Sequence, residues 1–196
     1  MQVHSQTHNN NDFIRGWYLD NLDTCDQIID YFKNNNNKFL GRSSNGVDAT
    51  VKDSTDCYLQ DAQLANLYVT QLMDVASEYI NLYPFVNFYS PWGINDNINI
   101  QEYKPSQGYH KWHTERSGVE YQISTRHMVF MTYLNDITDG GETEFFHQKI
   151  KVKPEKGLTL IWPADWTFTH RGVPSSTETK YIVTGWFNYF GENNGN

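Results

Sequence analysis

At His113-Thr114-Glu115 the chain places an imidazole and a carboxylate two positions apart. In a strand, residues i and i+2 face the same side, so these two groups would converge on one point. A second imidazole, His170, follows just after a predicted strand and turn. Two histidines and one carboxylate on one face of a metal leave three positions open, the facial arrangement of non-haem Fe(II) oxygenases. Those vacancies suit a chelating 2-oxo acid at two positions and O₂ at the third. By itself H-x-E is a weak signal that recurs by chance. A lone histidine is more often a packed or surface residue than a ligand. The case rests on what surrounds the motif.

Lys180 comes ten residues after His170, in Lys180-Tyr181-Ile182-Val183-Thr184-Gly185-Trp186-Phe187. Alternation puts Lys180, Ile182, Thr184 and Trp186 on one face. On its own such a lysine reads as an edge residue at a strand start. Beside a metal pocket it reads as a cation at the pocket floor. A dicarboxylic cosubstrate cannot bury its distal carboxylate unpaired, and a charge-assisted hydrogen bond resolves that. Tyr103 and Tyr133, on neighbouring strands, could share the task, although among 13 tyrosines any one is usually a core or surface ring.

The elements that must position these groups run helices first, strands after. Asp23 is expected as an N-cap, with Cys25, Ile28, Ile29 and Phe32 following at helical spacing and Asn34 to Asn37 ending the helix. Gly41 to Asp56 reads as a loop with at most one short strand. A second helix is predicted over about 60–82, with Leu64, Leu67, Tyr68, Leu72, Val75 and Tyr79 as its apolar stripe and Pro84 as its stop. From Phe85 the period shifts towards two. Strands are predicted around Ile98 to Tyr103, over Arg126 to Leu134 (apolar on both faces), Gly157 to Trp162 and Lys180 to Tyr189. Asp139-Gly140-Gly141 and Pro163-Ala164-Asp165 are turn chemistry. Short strands after a helical opening suggest a sandwich or jelly roll buttressed by helices.

The stretch from about Ile98 to Phe187 resembles the prolyl 4-hydroxylase-like branch of the 2-oxoglutarate/Fe(II) oxygenases. In order, the matching pieces are Gln101-Glu102-Tyr103, the segment from Gly108 to Glu115, Arg126, Thr132-Tyr133-Leu134-Asn135-Asp136, Gly140-Gly141-Glu142-Thr143-Glu144-Phe145, Val152 to Gly157, His170-Arg171-Gly172-Val173-Pro174 and Lys180-Tyr181. The ordered set is far more specific than any one piece. The resemblance implies a mainly β fold, a double-stranded β-helix (jelly roll, cupin-like) with N-terminal supporting helices. It implies that His113, Glu115 and His170 bind Fe(II). It implies that Lys180 pairs with the distal carboxylate of 2-oxoglutarate, with Tyr133 and Tyr103 assisting and Thr184 nearby. It further implies hydroxylation of a substrate C–H bond, a prolyl residue being one such substrate, with release of succinate and CO₂ and ascorbate as reductant. Two residues depart from the family pattern: the carboxylate, usually Asp, is Glu115, and the position three before His113, often Tyr, is His110.

Composition bounds the rest. With 196 residues, 38% apolar and 19% charged, the chain reads as one globular domain, 1–196, with helical support over about 13–83 and a catalytic β core over about 85–190. A net charge of -8 without clustered Lys and Arg argues against a general nucleic-acid binder. Two cysteines, Cys25 and Cys57, are too few for a disulfide framework. The polar stretch Met1 to Asp12 lacks a signal-peptide core, and no run is long enough to span a membrane, so a soluble cytoplasmic protein is expected. The expected partner is a peptide or small-molecule substrate, met by the loops Gly41 to Asp56, Asn87 to Asn97 and Ser117 to Thr125. Trp92, Trp112 and Trp166 are candidates for the substrate entrance, and His110, His127 and His147 are spare histidines with structural roles favoured. The rival readings are a non-catalytic metal-binding jelly-roll module, which has no use for a pocket cation, and a zinc hydrolase, which leaves Lys180 unexplained.

Overall fold

Strand after strand in the second half of the chain pairs antiparallel, and the pairing is long-range. The computed structural model describes residues 1–8, 13–43, 46–118 and 120–190. Parts of three expected features therefore lie outside the described residues: positions 9–12 of the polar N-terminal stretch, and positions 44–45 and 119 of two substrate-facing loops.

The elements in order are α1 (Ser5–His8), β1 (Arg15–Tyr18), α2 (Asp23–Asn34), β2 (Phe39–Leu40), β3 (Thr55–Tyr58) and α3 (Ala62–Leu82). A 3₁₀ turn at Pro84–Asn87 leads to β4 (Trp92–Gly93), β5 (Asn99–Tyr103), α4 (Tyr121–Ser124), β6 (Arg126–Tyr133), β7 (Thr143–Phe145) and β8 (Ile150–Val152). Then come β9 (Leu158–Pro163), a 3₁₀ turn at Trp166–Phe168, β10 (His170–Gly172) and β11 (Lys180–Tyr189). The major sheet runs β1-β9-β6-β11-β5-β3-β2, with β4 also on β11; the minor sheet runs β10-β7-β8. This is the expected mainly β jelly roll with helical support.

Alternation along the central strands sorts side chains into two cores. On β6, Met128 and Phe130 face the helices, while Val129, Met131 and Tyr133 face the minor sheet. On β11, Val183 and Phe187 take the helical side and Ile182 the inner side. Cys25, Ile28 and Phe32 of α2 and Leu72, Val75 and Tyr79 of α3 cover the helical side. Lys180, Thr184 and Trp186 share the inner face with Ile182 and line a cavity of about 560 Å³ between the sheets.

Three local expectations change. Asp23 is not the N-cap: the helix starts there, Leu22 occupies the cap position without a side-chain bond, and the Asp23 N–H donates to Asn21 Oδ1 at 3.0 Å. In the first turn its charge still suits the helix dipole. A side-chain cap forms instead on α3, where Asp61 accepts from the Leu64 N–H at 2.8 Å. Leu67 of the predicted stripe is exposed rather than packed. Residues 13–83 are also not purely helical. They give the major sheet β1, β2 and β3, two of these from the edges of the segment read as loop. Among the described residues, no helix is long and apolar enough to cross a membrane.

Candidate metal and cosubstrate site

His170 opens β10, and its backbone forms a reciprocal pair with His113: His113 N–H donates to the His170 carbonyl and His170 N–H to the His113 carbonyl, both at 3.0 Å. His113 holds a single bridge position, not a strand as expected from the i, i+2 argument. The segment behind it is pinned another way. The Ala164 carbonyl, in the turn after β9, accepts from the Arg116 N–H at 2.9 Å and from the Thr114 hydroxyl at 3.0 Å. Thr114 is thereby anchored, and Glu115 lines the cavity beside it.

The three side chains converge as predicted. One ligating atom each from His113, Glu115 and His170 lies within 4.8 Å of the others. Glu115 Oε1 stands 3.4 Å from His113 Nε2 and 3.3 Å from His170 Nε2. The far ring nitrogens face carbonyls, Lys111 at 3.0 Å and Phe168 at 2.9 Å. A carbonyl only accepts, so each Nδ1 carries a hydrogen, and a ring in its neutral form points a lone pair inward from Nε2. Burial and the adjacent His170 push the His113 pKa down, which favours that neutral form. Burial opposes ionisation of Glu115, but the imidazoles of His113 and His170 beside it hold its carboxyl well below the usual range. Two lone pairs and a carboxylate oxygen facing one another call for a cation. The donor set of two imidazoles and one carboxylate fits a divalent transition metal with open positions.

The outer shell was not read from sequence. Tyr109 stacks flat on the His113 ring, centroids 3.5 Å apart and 8° from parallel. Its phenol, pushed up to about 12 by burial and by the Glu115 charge, stays protonated. Trp186 Nε1 donates to Glu115 Oε2 at 3.0 Å, and Arg126 Nη1 donates to the Glu115 carbonyl at 2.9 Å. Alternation had placed Trp186 on the right face, but nothing in the sequence tied it to position 115.

Lys180 lies in a central strand, 4% exposed, paired in register with Tyr103. Its ammonium donates to the Gly141 carbonyl at 2.8 Å and sits 5.1 Å from the centre of the Tyr103 ring. Gly140 and Gly141 both adopt positive φ, 88° and 77°, and this turn presents the carbonyl. Burial pushes the Lys180 pKa down to about 8, with only the Glu142 charge opposing. A buried ammonium with one carbonyl acceptor is a cation short of an anion.

The other expected residues divide. Tyr103 and Thr184 line the cavity. Tyr133 does not: it is fully buried, with its hydroxyl 2.6 Å from Thr143 Oγ1 and 3.1 Å from the Val152 carbonyl. Thr143 and Met131 line the wall in front of it. Each expected substrate loop contributes lining, Arg42 and Ser43 from one, Asn97 from another, Ser117 and Ile123 from the third. Of the tryptophans, Trp162 and Trp186 line the cavity, whereas Trp92, Trp112 and Trp166 do not. His127 packs against Trp92 and Tyr189 and bonds the Val86 carbonyl, and His147 contacts Phe146 and Trp166. His110, too, is outside the ligand cluster.

Comparison with known proteins agrees with this geometry. Residues 98–188 match the model of the 2OG-Fe(II) oxygenase superfamily. A probable prolyl 4-hydroxylase 9 from Arabidopsis thaliana is 28% identical over 120 residues, covering 49% of this chain and 42% of that protein. The match therefore spans less than half of that relative's length. Among solved structures, a Pseudomonas putida prolyl-4-hydroxylase superposes with TM-score 0.69 at 17% identity, covering 92% of this chain and 95% of the other. A viral collagen prolyl hydroxylase from Paramecium Bursaria Chlorella virus-1, in complex with 2OG, gives 0.66 at 18%, covering 92% and 98%. A prolyl hydroxylase from Trichoplax adhaerens, in complex with a hypoxia inducible factor peptide fragment, gives 0.72 at 14%, covering 94% and 88%. The shared fold, the matched segment and the motif order agree: residues 98–188 are similar to the 2OG-Fe(II) oxygenase superfamily, and the chain resembles prolyl 4-hydroxylases.

Proposed function

We propose that this chain is an Fe(II)- and 2-oxoglutarate-dependent dioxygenase that hydroxylates an aliphatic C–H bond of a peptide substrate, with a prolyl ring as the first candidate. The observation that carries the reading is the pairing, inside one cavity, of a three-ligand cluster with a buried cation that lacks an anionic partner among the described residues. A bare binding module or a zinc hydrolase needs the first but not the second.

In this reading His113, Glu115 and His170 hold the iron, with both imidazoles locked by their Nδ1–H bonds to backbone carbonyls. When bound, the metal supplies the oxidation, dividing O₂ between 2-oxoglutarate, which leaves as succinate and CO₂, and the substrate carbon. Lys180 receives the distal carboxylate of 2-oxoglutarate as a charge-assisted hydrogen bond, against the Tyr103 ring and with Thr184 on the same face. Tyr133 sits behind Thr143 and supports that wall rather than touching the cosubstrate. Trp162, Ile182 and Met131 supply apolar wall that excludes water. The buried Lys52–Asp56 pair, 2.7 Å apart, gives the far side a fixed polar surface. Ascorbate, keeping the metal ferrous, is part of the same proposal. The peptide substrate is supported by the peptide complex of the Trichoplax relative and by the three loops that reach the cavity.

The test is direct. Fe(II) and 2-oxoglutarate added without oxygen should produce the visible charge-transfer band of the chelate, and His170→Ala should remove both the band and succinate formation. Normal turnover by that variant would exclude His170 from the site. A peptide library, screened by mass spectrometry for the gain of one oxygen, then identifies the substrate.

A further inference from the structure

Glutamate differs from the aspartate usual at this position by one methylene and one rotor. A longer, freer carboxylate can swing to offer both oxygens to a metal. On a three-residue facial site, a second oxygen from the protein would take one of the positions that a chelating 2-oxo acid and O₂ require. The structure shows what prevents this. Trp186 Nε1 donates to Glu115 Oε2 at 3.0 Å. Arg126 Nη1 stands 3.6 Å from the same oxygen while bonded to the Glu115 backbone carbonyl. The Arg126 guanidinium lies 3.5 Å from the centre of the Trp186 ring, so the two side chains form one stacked unit. Both stand on the central pair of the major sheet, Arg126 at the start of β6 and Trp186 in β11. Oε1 stands 3.4 Å from His113 Nε2 and 3.3 Å from His170 Nε2.

Indole is a donor only and cannot be a ligand in its own right. We propose that Trp186, seconded by Arg126, is a positioning residue that occupies Oε2 and confines Glu115 to a one-oxygen role, keeping the cosubstrate positions open. This rests on the function proposed above.

The experiment uses the full chain as wild type, Trp186→Phe, Glu115→Asp and the double variant. Mn(II) affinity is measured by electron paramagnetic resonance without cosubstrate, and 2-oxoglutarate affinity by titrating the charge-transfer band of the Fe(II) protein without oxygen. Trp186→Phe keeps a ring under Arg126 and removes only the N–H. It should bind Mn(II) as tightly as wild type or more tightly, which also certifies its fold. Its 2-oxoglutarate affinity should fall about tenfold, the weight of one hydrogen bond to a charged group. In the Glu115→Asp background, where the shorter side chain lacks the extra rotor that would swing its second oxygen towards the metal, the same substitution should change 2-oxoglutarate affinity by less than about twofold. Arg126→Gln, which leaves the indole in place, should give a smaller loss than Trp186→Phe. The proposal is overturned if Trp186→Phe leaves cosubstrate affinity unchanged, if it abolishes Mn(II) binding, or if it weakens cosubstrate binding by the same factor in the Glu115→Asp background. Absence of any band in the wild type sinks the parent reading and this one together; a wild-type band insensitive to Trp186→Phe sinks this one alone.

Discussion

Lys180 concentrates the chemistry of the site at the level of a single residue. A buried ammonium with one carbonyl acceptor is costly in the ligand-free protein and strongly paired once a carboxylate arrives. Lys180→Ala should therefore weaken 2-oxoglutarate binding by about 3 kcal/mol, roughly a hundredfold, as an increase in KM. Because burial lowers its pKa to about 8, the wild-type ammonium is lost as pH rises through that value. Apparent 2-oxoglutarate affinity should fall about tenfold per pH unit above it, with a KM-against-pH series as the check and Lys180→Ala as the flat control. The apoprotein should respond in the opposite sense. Between pH 8 and the ordinary 10.5, the unfolded chain holds a proton that the folded one has released. Stability thus rises with pH across that window. Lys180→Met should remove this component and raise the thermal midpoint of the ligand-free protein at pH 7. The place of this lysine in the cavity was legible because strand alternation put it on the inner face of β11. That of Tyr133 was not: alternation gives a face but not a depth, and Thr143 stands between it and the cavity.

At the level of elements, the long amphipathic segments were legible and the short strands were not. The apolar residues of α2 and most of those of α3 fall on the face that the major sheet covers, so their periodicity was sufficient. Arg15–Tyr18 has four residues and no pattern of its own; it is a strand because β9, far along the chain, offers it a partner. The same holds for Phe39–Leu40 and Thr55–Tyr58, which carry the sheet out beneath the cavity. Two predictions separate support from chemistry. Asp61→Ala removes the α3 cap and should cost about 1 kcal/mol in urea unfolding without altering cosubstrate affinity. Gly140→Ala should do both. Its Cβ would lie 2.6 Å from the Pro174 carbonyl at a φ of 88°, so the turn must shift, and the Gly141 carbonyl on Lys180 shifts with it.

As a whole the molecule is layered, helices on one face of the major sheet and the minor sheet on the other, with the cavity inside the second interface. The two cores are built from apolar residues outside the His113, Glu115 and His170 cluster, with His170 packed against Phe145 and Trp162 of the inner one. Chelators should leave circular dichroism unchanged and lower only the ligand-linked part of stability. At cosubstrate and Mn(II) concentrations near a hundred times their dissociation constants, each binding step should add about 2.7 kcal/mol. Lys180→Ala should abolish the cosubstrate increment and keep that of the metal. The reciprocal backbone pair between His113 and His170 has a corollary for assembly. Two of the proposed ligands, far apart in the chain, are held together by amide bonds at the edge of the minor sheet. The receptor for the ion is then finished when folding is finished, and metal capture becomes a docking event rather than an ordering one. Amide protons at these two positions should exchange as slowly in the stripped protein as in the loaded one.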